Sequence, residues 1–122
     1  MQKRVLVIED EPNISEALSF ILSRNGWRVD VTADGKAALG RLYADPPDLL
    51  ILDLMLPGVS GFDILRSVRA CDDTRALPVL MLTAKGQAAD RIEAERLGVT
   101  RFMTKPFANA EVLAAVHEMA RT

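Results

Sequence analysis

At 122 residues the chain is expected to form a single domain with a core large enough to fold alone, leaving no room for a second. Its 49% hydrophobic and 26% charged composition is that of a soluble globular protein, and a net charge of −2 gives no basis for direct nucleic-acid binding. No apolar run approaches a membrane span, the N-terminus lacks a signal-peptide segment, and the single cysteine, Cys71, excludes an internal disulfide or a cysteine-rich metal site. The expected location is the cytoplasm.

In chain order, Arg4-Val5-Leu6-Val7-Ile8 is a short aliphatic strand that ends in the acids Glu9-Asp10-Glu11 before Pro12. Asn13 as N-cap with Glu16 as capping-box partner predicts a helix with Ile14, Ala17, Leu18, Ile21 and Leu22 facing inward, stopped at Asn25-Gly26. Trp27 to Thr32 alternates enough to be a second strand. Asp34-Gly35 then leads into a helix of small residues carrying Ala37, Ala38 and Leu42, which Pro46-Pro47 ends. Leu49-Leu50-Ile51-Leu52 is uninterruptedly aliphatic, so it reads as a strand buried on both faces, because a half-exposed strand would alternate.

Asp53 closes that strand. A carboxylate is too costly to desolvate unless paired or coordinated, which places it in the crevice at the strand's carboxyl end, ahead of the Pro57-Gly58 loop. Ser60-Gly61 opens a helix with Ile64, Leu65 and Val68 inward, and Val79-Leu80-Met81-Leu82 is another buried strand, ending at Thr83-Ala84-Lys85-Gly86. A helix from about Gln87 to Leu97 is poor in large apolar residues and stops at Gly98. Arg101 to Thr104 is a short last strand before Lys105-Pro106, and Ala108 to Ala120 is a helix with Val112, Leu113, Val116 and Met119 inward. Met81, Met103 and Met119 are core fillers. Strands and helices alternate with short connections, which predicts a single doubly wound, flavodoxin-like α/β domain of five parallel strands in the order 2-1-3-4-5 flanked by five helices.

The carboxyl ends of parallel strands share one rim, which collects Glu9, Asp10, Glu11, Asp53, Thr83 and Lys105. In the order 2-1-3-4-5 the first and third strands flank the switch point, so the acids face each other. Carboxylates crowded in one cleft are resolved by a raised pKa or a hard divalent cation, and Mg²⁺ fits best because it accepts one or two carboxylates and a carbonyl while keeping several waters. A lysine and a hydroxyl opposite suit a phosphoryl group, whose oxygens take an ammonium and a short hydrogen-bond donor.

Glu9-Asp10, Asp53 before Met55-Leu56-Pro57-Gly58, Thr83-Ala84 and Lys105-Pro106-Phe107 together resemble the receiver domain of two-component response regulators, over about Lys3 to Met119. From strand four onward, Met81-Leu82-Thr83-Ala84 and Thr104-Lys105-Pro106-Phe107 are most similar to receivers attached to winged-helix DNA-binding domains. The resemblance implies that Asp53 accepts a phosphoryl group from a phosphohistidine on a sensor histidine kinase or phosphotransfer protein. It implies that Asp10 and Asp53 bind Mg²⁺ directly with the Met55 backbone carbonyl, that Glu9 acts through water, that Thr83 and Lys105 hold the phosphoryl oxygens, and that the Lys105-Pro106 bond is cis. Phe102 takes the aromatic switch position beside Thr83, where many relatives carry tyrosine. The domain would be a signalling switch rather than a turnover enzyme, acting on an output domain or a downstream protein.

A flavin binder would need a Ser/Thr/Gly-rich loop after strand one, where the acids stand, and a phosphatase working through aspartyl phosphate commonly has a second Asp where this chain has Met55. The remaining alternative is a receiver-like module that binds partners without phosphate. Ala84 is small enough to leave the phosphoryl centre open, with Met55 and Lys85 flanking the entrance, and the kinase is expected at Asn13, Ile14 and Leu18. The resemblance to receivers of the winged-helix class implies a dimer face of the fourth helix, fifth strand and fifth helix, which such receivers typically use. This chain keeps Arg91 and Glu111 as an intersubunit pair but has Glu95, Thr100, Arg101 and Ala115 where an aliphatic, two acids and a basic residue are common, so a monomer or weak dimer is expected.

Overall fold

The aliphatic runs lie side by side as a parallel sheet. A computed structural model describes residues 2–84 and 88–120. Its elements are β1 (Arg4–Ile8), α1 (Pro12–Ser23), β2 (Arg28–Thr32), α2 (Gly35–Ala44), β3 (Leu49–Asp53), α3 (Gly61–Ala70), β4 (Val79–Thr83), α4 (Ala88–Arg96), β5 (Arg101–Thr104) and α5 (Asn109–Ala120). The sheet order is β2-β1-β3-β4-β5, with every pair parallel, so the chain reverses direction of winding between β1 and β3. Among the described residues no helix is long and apolar enough to cross a membrane.

Both faces of the sheet are covered, and alternate residues of each strand serve opposite faces. Leu6, Ile8, Leu50, Leu52, Val79 and Met81 pack with Leu42 of α2, Ile64 and Leu65 of α3 and Ala94 of α4. Val5, Val7, Leu49, Ile51, Leu80 and Leu82 pack with Leu18 and Leu22 of α1 and Val112 and Val116 of α5. Each fully buried leucine or isoleucine contributes about 1.5–3 kcal/mol relative to exposure, so these central strands fix the sheet.

Several local expectations need correction. The N-cap of α1 is Glu11, not Asn13, and the capping box with Glu16 does not form. Pro12, with its fixed φ and no N–H to satisfy, suits the first helical position, and the Glu11 carbonyl accepts from the amides of Ile14 and Ser15, each at 3.1 Å. Ser15 lies inward with Leu18 and Leu22, while Ala17 is exposed and Ile14 and Ile21 are half-buried. The second strand begins at Arg28 rather than Trp27. Helix α4 ends at Arg96 rather than Leu97, with only Ala94 buried, and the expected start at Gln87 lies outside the described residues. Helix α5 starts at Asn109 rather than Ala108; Ala115 is fully buried and Leu113 only partly so.

Other signals act as read. The Asp34 carboxylate caps α2 by accepting from the amides of Lys36 and Ala37, and Ser60 Oγ caps α3 by accepting from the Phe62 amide at 3.1 Å.

Candidate functional site

Strand register builds the site. Ile8 pairs with Leu52 and Asp53 with Leu82, so Glu9, the residue after β1, leaves the sheet level with Asp53 at the end of β3. Thr83 and Thr104 are paired at the ends of β4 and β5, and the Lys105 amide donates to the Thr83 carbonyl at 2.7 Å. Parallel pairing alone thus delivers the two acids, the threonine and the lysine to one rim.

There, one carboxylate oxygen from each of Glu9, Asp10 and Asp53 lies within 4.8 Å of the others. Lys105 reaches into the group: its Nζ is 2.8 Å from Glu9 Oε1, 3.2 Å from Glu11 Oε1 and 3.5 Å from Asp53 Oδ2. Asp53 is deeper than an open crevice would put it, at 3% exposure, and it is tolerated there because Lys105 neutralises it and the Met55 amide donates to its Oδ1 at 3.1 Å. Asp10 is exposed, whereas Glu9 is buried.

Burial raises the Glu9 carboxyl from its ordinary 4.5 to about 7; Lys105 pulls it down, and Asp53 pushes it further up. Burial works against the Lys105 ammonium, but the surrounding Glu9, Asp53 and Glu11 carboxylates outweigh it and raise its pKa above the ordinary value. The Glu9 Oε1 atom is buried beside that ammonium without accepting a hydrogen bond of good geometry. A hard all-oxygen donor set with an under-satisfied buried carboxylate is what a small divalent cation relieves, so these residues fit Mg²⁺.

The backbone behind Asp53 is held by a residue whose role sequence reading missed. The Leu54 amide donates to the Leu82 carbonyl and the Gly61 amide to the Leu54 carbonyl, each at 2.9 Å. A Cβ on Gly61 would sit 2.6 Å from the Asp53 carbonyl oxygen and 2.8 Å from Leu54 Cα. Gly61 is therefore required for α3 to start against the back of the site. The signal was a glycine directly after a serine cap, legible only as a helix start.

Other expected positions fall as follows. Thr83 is fully buried at the rim, Ala84 is exposed and Met55 is exposed beside Asp53, while Lys85 lies outside the described residues. The Lys105-Pro106 bond is cis. The Phe102 ring is buried in the α3–α4 side of the core, with the Arg91 guanidinium 4.9 Å from its centroid. Thr100 Oγ1 accepts from the Val79 amide at 2.9 Å, and Arg101 pairs with Glu118 at 3.1 Å. Two surface expectations are overturned: Leu18 is fully buried and offers nothing to a docking kinase, and buried Ala115 is no rim position of a dimer face. Both lie on faces that the sheet covers.

Comparison with known proteins places the geometry. The response regulator receiver domain family matches residues 5–117. The chain is 40% identical over 121 residues to the phosphate regulon transcriptional regulatory protein PhoB of Rhizobium meliloti, covering 99% of this chain and 53% of that protein. It thus spans about half the length of the curated relatives it matches. Among solved structures, chemotaxis protein CheY4 of Vibrio cholerae superposes with a TM-score of 0.91 at 28% identity, over 98% of this chain and 99% of that one. The receiver domain of sensor histidine kinase PA1611 from Pseudomonas aeruginosa, which has a magnesium ion coordinated in its active site cleft, gives a TM-score of 0.91 at 27% identity over the whole of both chains. With the sheet order, the acidic rim and these likenesses in agreement, the chain belongs to the response regulator receiver domain family of two-component signal transduction.

Proposed function

We propose that Asp53 is the phosphoacceptor, taking a phosphoryl group from a phosphohistidine of a sensor histidine kinase or phosphotransfer protein in an Mg²⁺-dependent step. The observation that carries this reading is the convergence of Glu9, Asp10 and Asp53 within 4.8 Å under the Lys105 ammonium. An Asp53 carboxylate oxygen forms the new P–O bond as the P–N bond breaks, and the imidazole nitrogen keeps the electron pair. Asp10, Asp53 and the Met55 carbonyl would hold the cation directly and Glu9 through water; bound there, it would offset charge on the phosphoryl oxygens.

Lys105 neutralises the acids before transfer and a phosphoryl oxygen afterwards, and the Thr83 hydroxyl serves a second oxygen. Exposed Ala84 leaves the line of attack open. Thr83 and Phe102 form the switch that passes the change to the face of α4, β5 and α5, and from there to an output domain or a downstream protein. This is one signalling switch rather than a turnover enzyme, acting in the cytoplasm, as a monomer or weak dimer through that face. The Arg91 side chain, stacked on Phe102, is engaged within its own chain and less available to a partner's Glu111.

The test is incubation with a small phosphodonor and Mg²⁺ followed by intact mass. Wild type should gain one phosphoryl group and Asp53→Asn none; no gain in wild type would leave the chain as a phosphate-independent interaction module.

A further inference from the structure

The Lys105 ammonium has three N–H donors, and three carboxylates surround it, those of Glu9, Glu11 and Asp53. No donor is spare. If Asp53 is the phosphoacceptor, on which this inference rests, its carboxylate becomes an acyl phosphate that carries more negative charge, and drawing the ammonium toward a phosphoryl oxygen takes it from a neighbouring carboxylate, Glu9 or Glu11.

Exposure decides which. The Glu9 side chain is 1% exposed, and stranding it beside the phosphoryl group would leave a buried charge uncompensated. Glu11 is 58% exposed, so water replaces the ammonium at little cost. Glu11 is also tied to the start of α1: its carbonyl accepts from the Ile14 and Ser15 amides, and its own amide donates to Glu9 Oε2 at 3.2 Å. The Glu11–Lys105 pair therefore bridges the start of α1 to the end of β5.

We infer that Glu11 is a positioning residue, a third carboxylate that holds Lys105 in the unphosphorylated protein and yields its donor to the phosphoryl oxygen. Phosphorylation then unties the start of α1 from the end of β5. The role is distinct from metal binding, since the Glu11 side chain points to the lysine and competes with the phosphoryl group for it.

The test is calorimetric binding of beryllium fluoride with Mg²⁺, a phosphoryl mimic, to wild type, Glu11→Gln, Lys105→Ala and the double variant. Removing an exposed competitor should tighten binding by about two- to five-fold more in the wild-type background than in the Lys105→Ala background. As a second readout in glutamate-labelled protein, the Glu11 side-chain carboxyl resonance should move, when the mimic binds, toward its position in Lys105→Ala. Equal tightening in both backgrounds, or a Glu11 resonance that stays in place while the mimic binds, overturns the inference and leaves Asp53 as phosphoacceptor intact. Wild type that neither binds the mimic nor takes phosphate overturns both readings.

Discussion

Gly61→Ala separates the close approach behind Asp53 from ordinary helix energetics by the sign of its effect. Gly61 opens α3 without a positive φ, so alanine there is conformationally permitted, and limiting the unfolded chain would by itself stabilise by about 0.4–1 kcal/mol. Against this stands the new methyl, 2.6 Å from the Asp53 carbonyl oxygen and 2.8 Å from Leu54 Cα, distances at which backbone has to move. Overpacking of this kind costs roughly 1–3 kcal/mol, so net destabilisation of about 1–2 kcal/mol is expected. The displaced backbone carries Asp53, the proposed phosphoacceptor, and misplacing such a nucleophile should lose on the order of ten- to a hundred-fold in rate. Urea denaturation gives the first quantity and phosphorylation by a small phosphodonor the second. Gly40→Ala is the control: Gly40 lies within α2 with nothing within 4 Å of a new Cβ, and alanine there should stabilise by roughly 0.5–1 kcal/mol. A Gly61→Ala protein as stable as Gly40→Ala, and phosphorylated at the wild-type rate, would refute the close-approach reasoning.

Three further outcomes are expected. Because Glu9 is raised from 4.5 to about 7, the metal-free folded chain keeps a proton that the unfolded chain has released; stability should fall as pH rises through that window and level off above it, and Glu9→Gln should flatten the slope in pH-dependent denaturation. A wild-type slope in Glu9→Gln would show that burial at this position is not what drives it. Mg²⁺ affinity should be weak and should drop in Asp10→Ala, since few protein oxygens complete the octahedral shell; titration with undiminished affinity would remove Asp10 from the site. Arg69, half-buried, donates to the carbonyls of Leu77, Gly98 and Arg75 at 2.7, 2.8 and 3.1 Å, joining α3 to the loops before β4 and β5. Arg69→Ala should lose roughly 2 kcal/mol in denaturation, and Arg69→Lys should recover little because an ammonium lacks the planar fork.

The sheet was legible because its central strands are buried on both faces and so appear as aliphatic runs, and the rim followed because each run ends in a polar residue. Parallel order then assembles Glu9, Asp53, Thr83 and Lys105 without further information. Less legible were features decided by side-chain direction or distant partners. The start of α1 was misplaced because Asn13 and Glu16 spell a capping box, while Pro12 competes for the first helical position and wins; Ser15, one turn before Leu18, is buried, and Ala17 is not. Leu18, read as an inward residue, was also assigned to a docking edge, and Ala115 to a dimer rim, although both are fully buried. The roles of Gly61, Arg69 and Glu11 depend on contacts with Asp53, Gly98 and Lys105, which no local pattern encodes.

The most direct measurement is chemical trapping of the modified residue. Wild type treated with a small phosphodonor and Mg²⁺, reduced with borohydride and digested, should yield one peptide in which homoserine replaces Asp53, and the product should disappear when Mg²⁺ is chelated. Reduction at Asp10 or another carboxylate, or undiminished labelling of Asp53 without the metal, would contradict the assignment of this cleft as an Mg²⁺-dependent phosphoacceptor site.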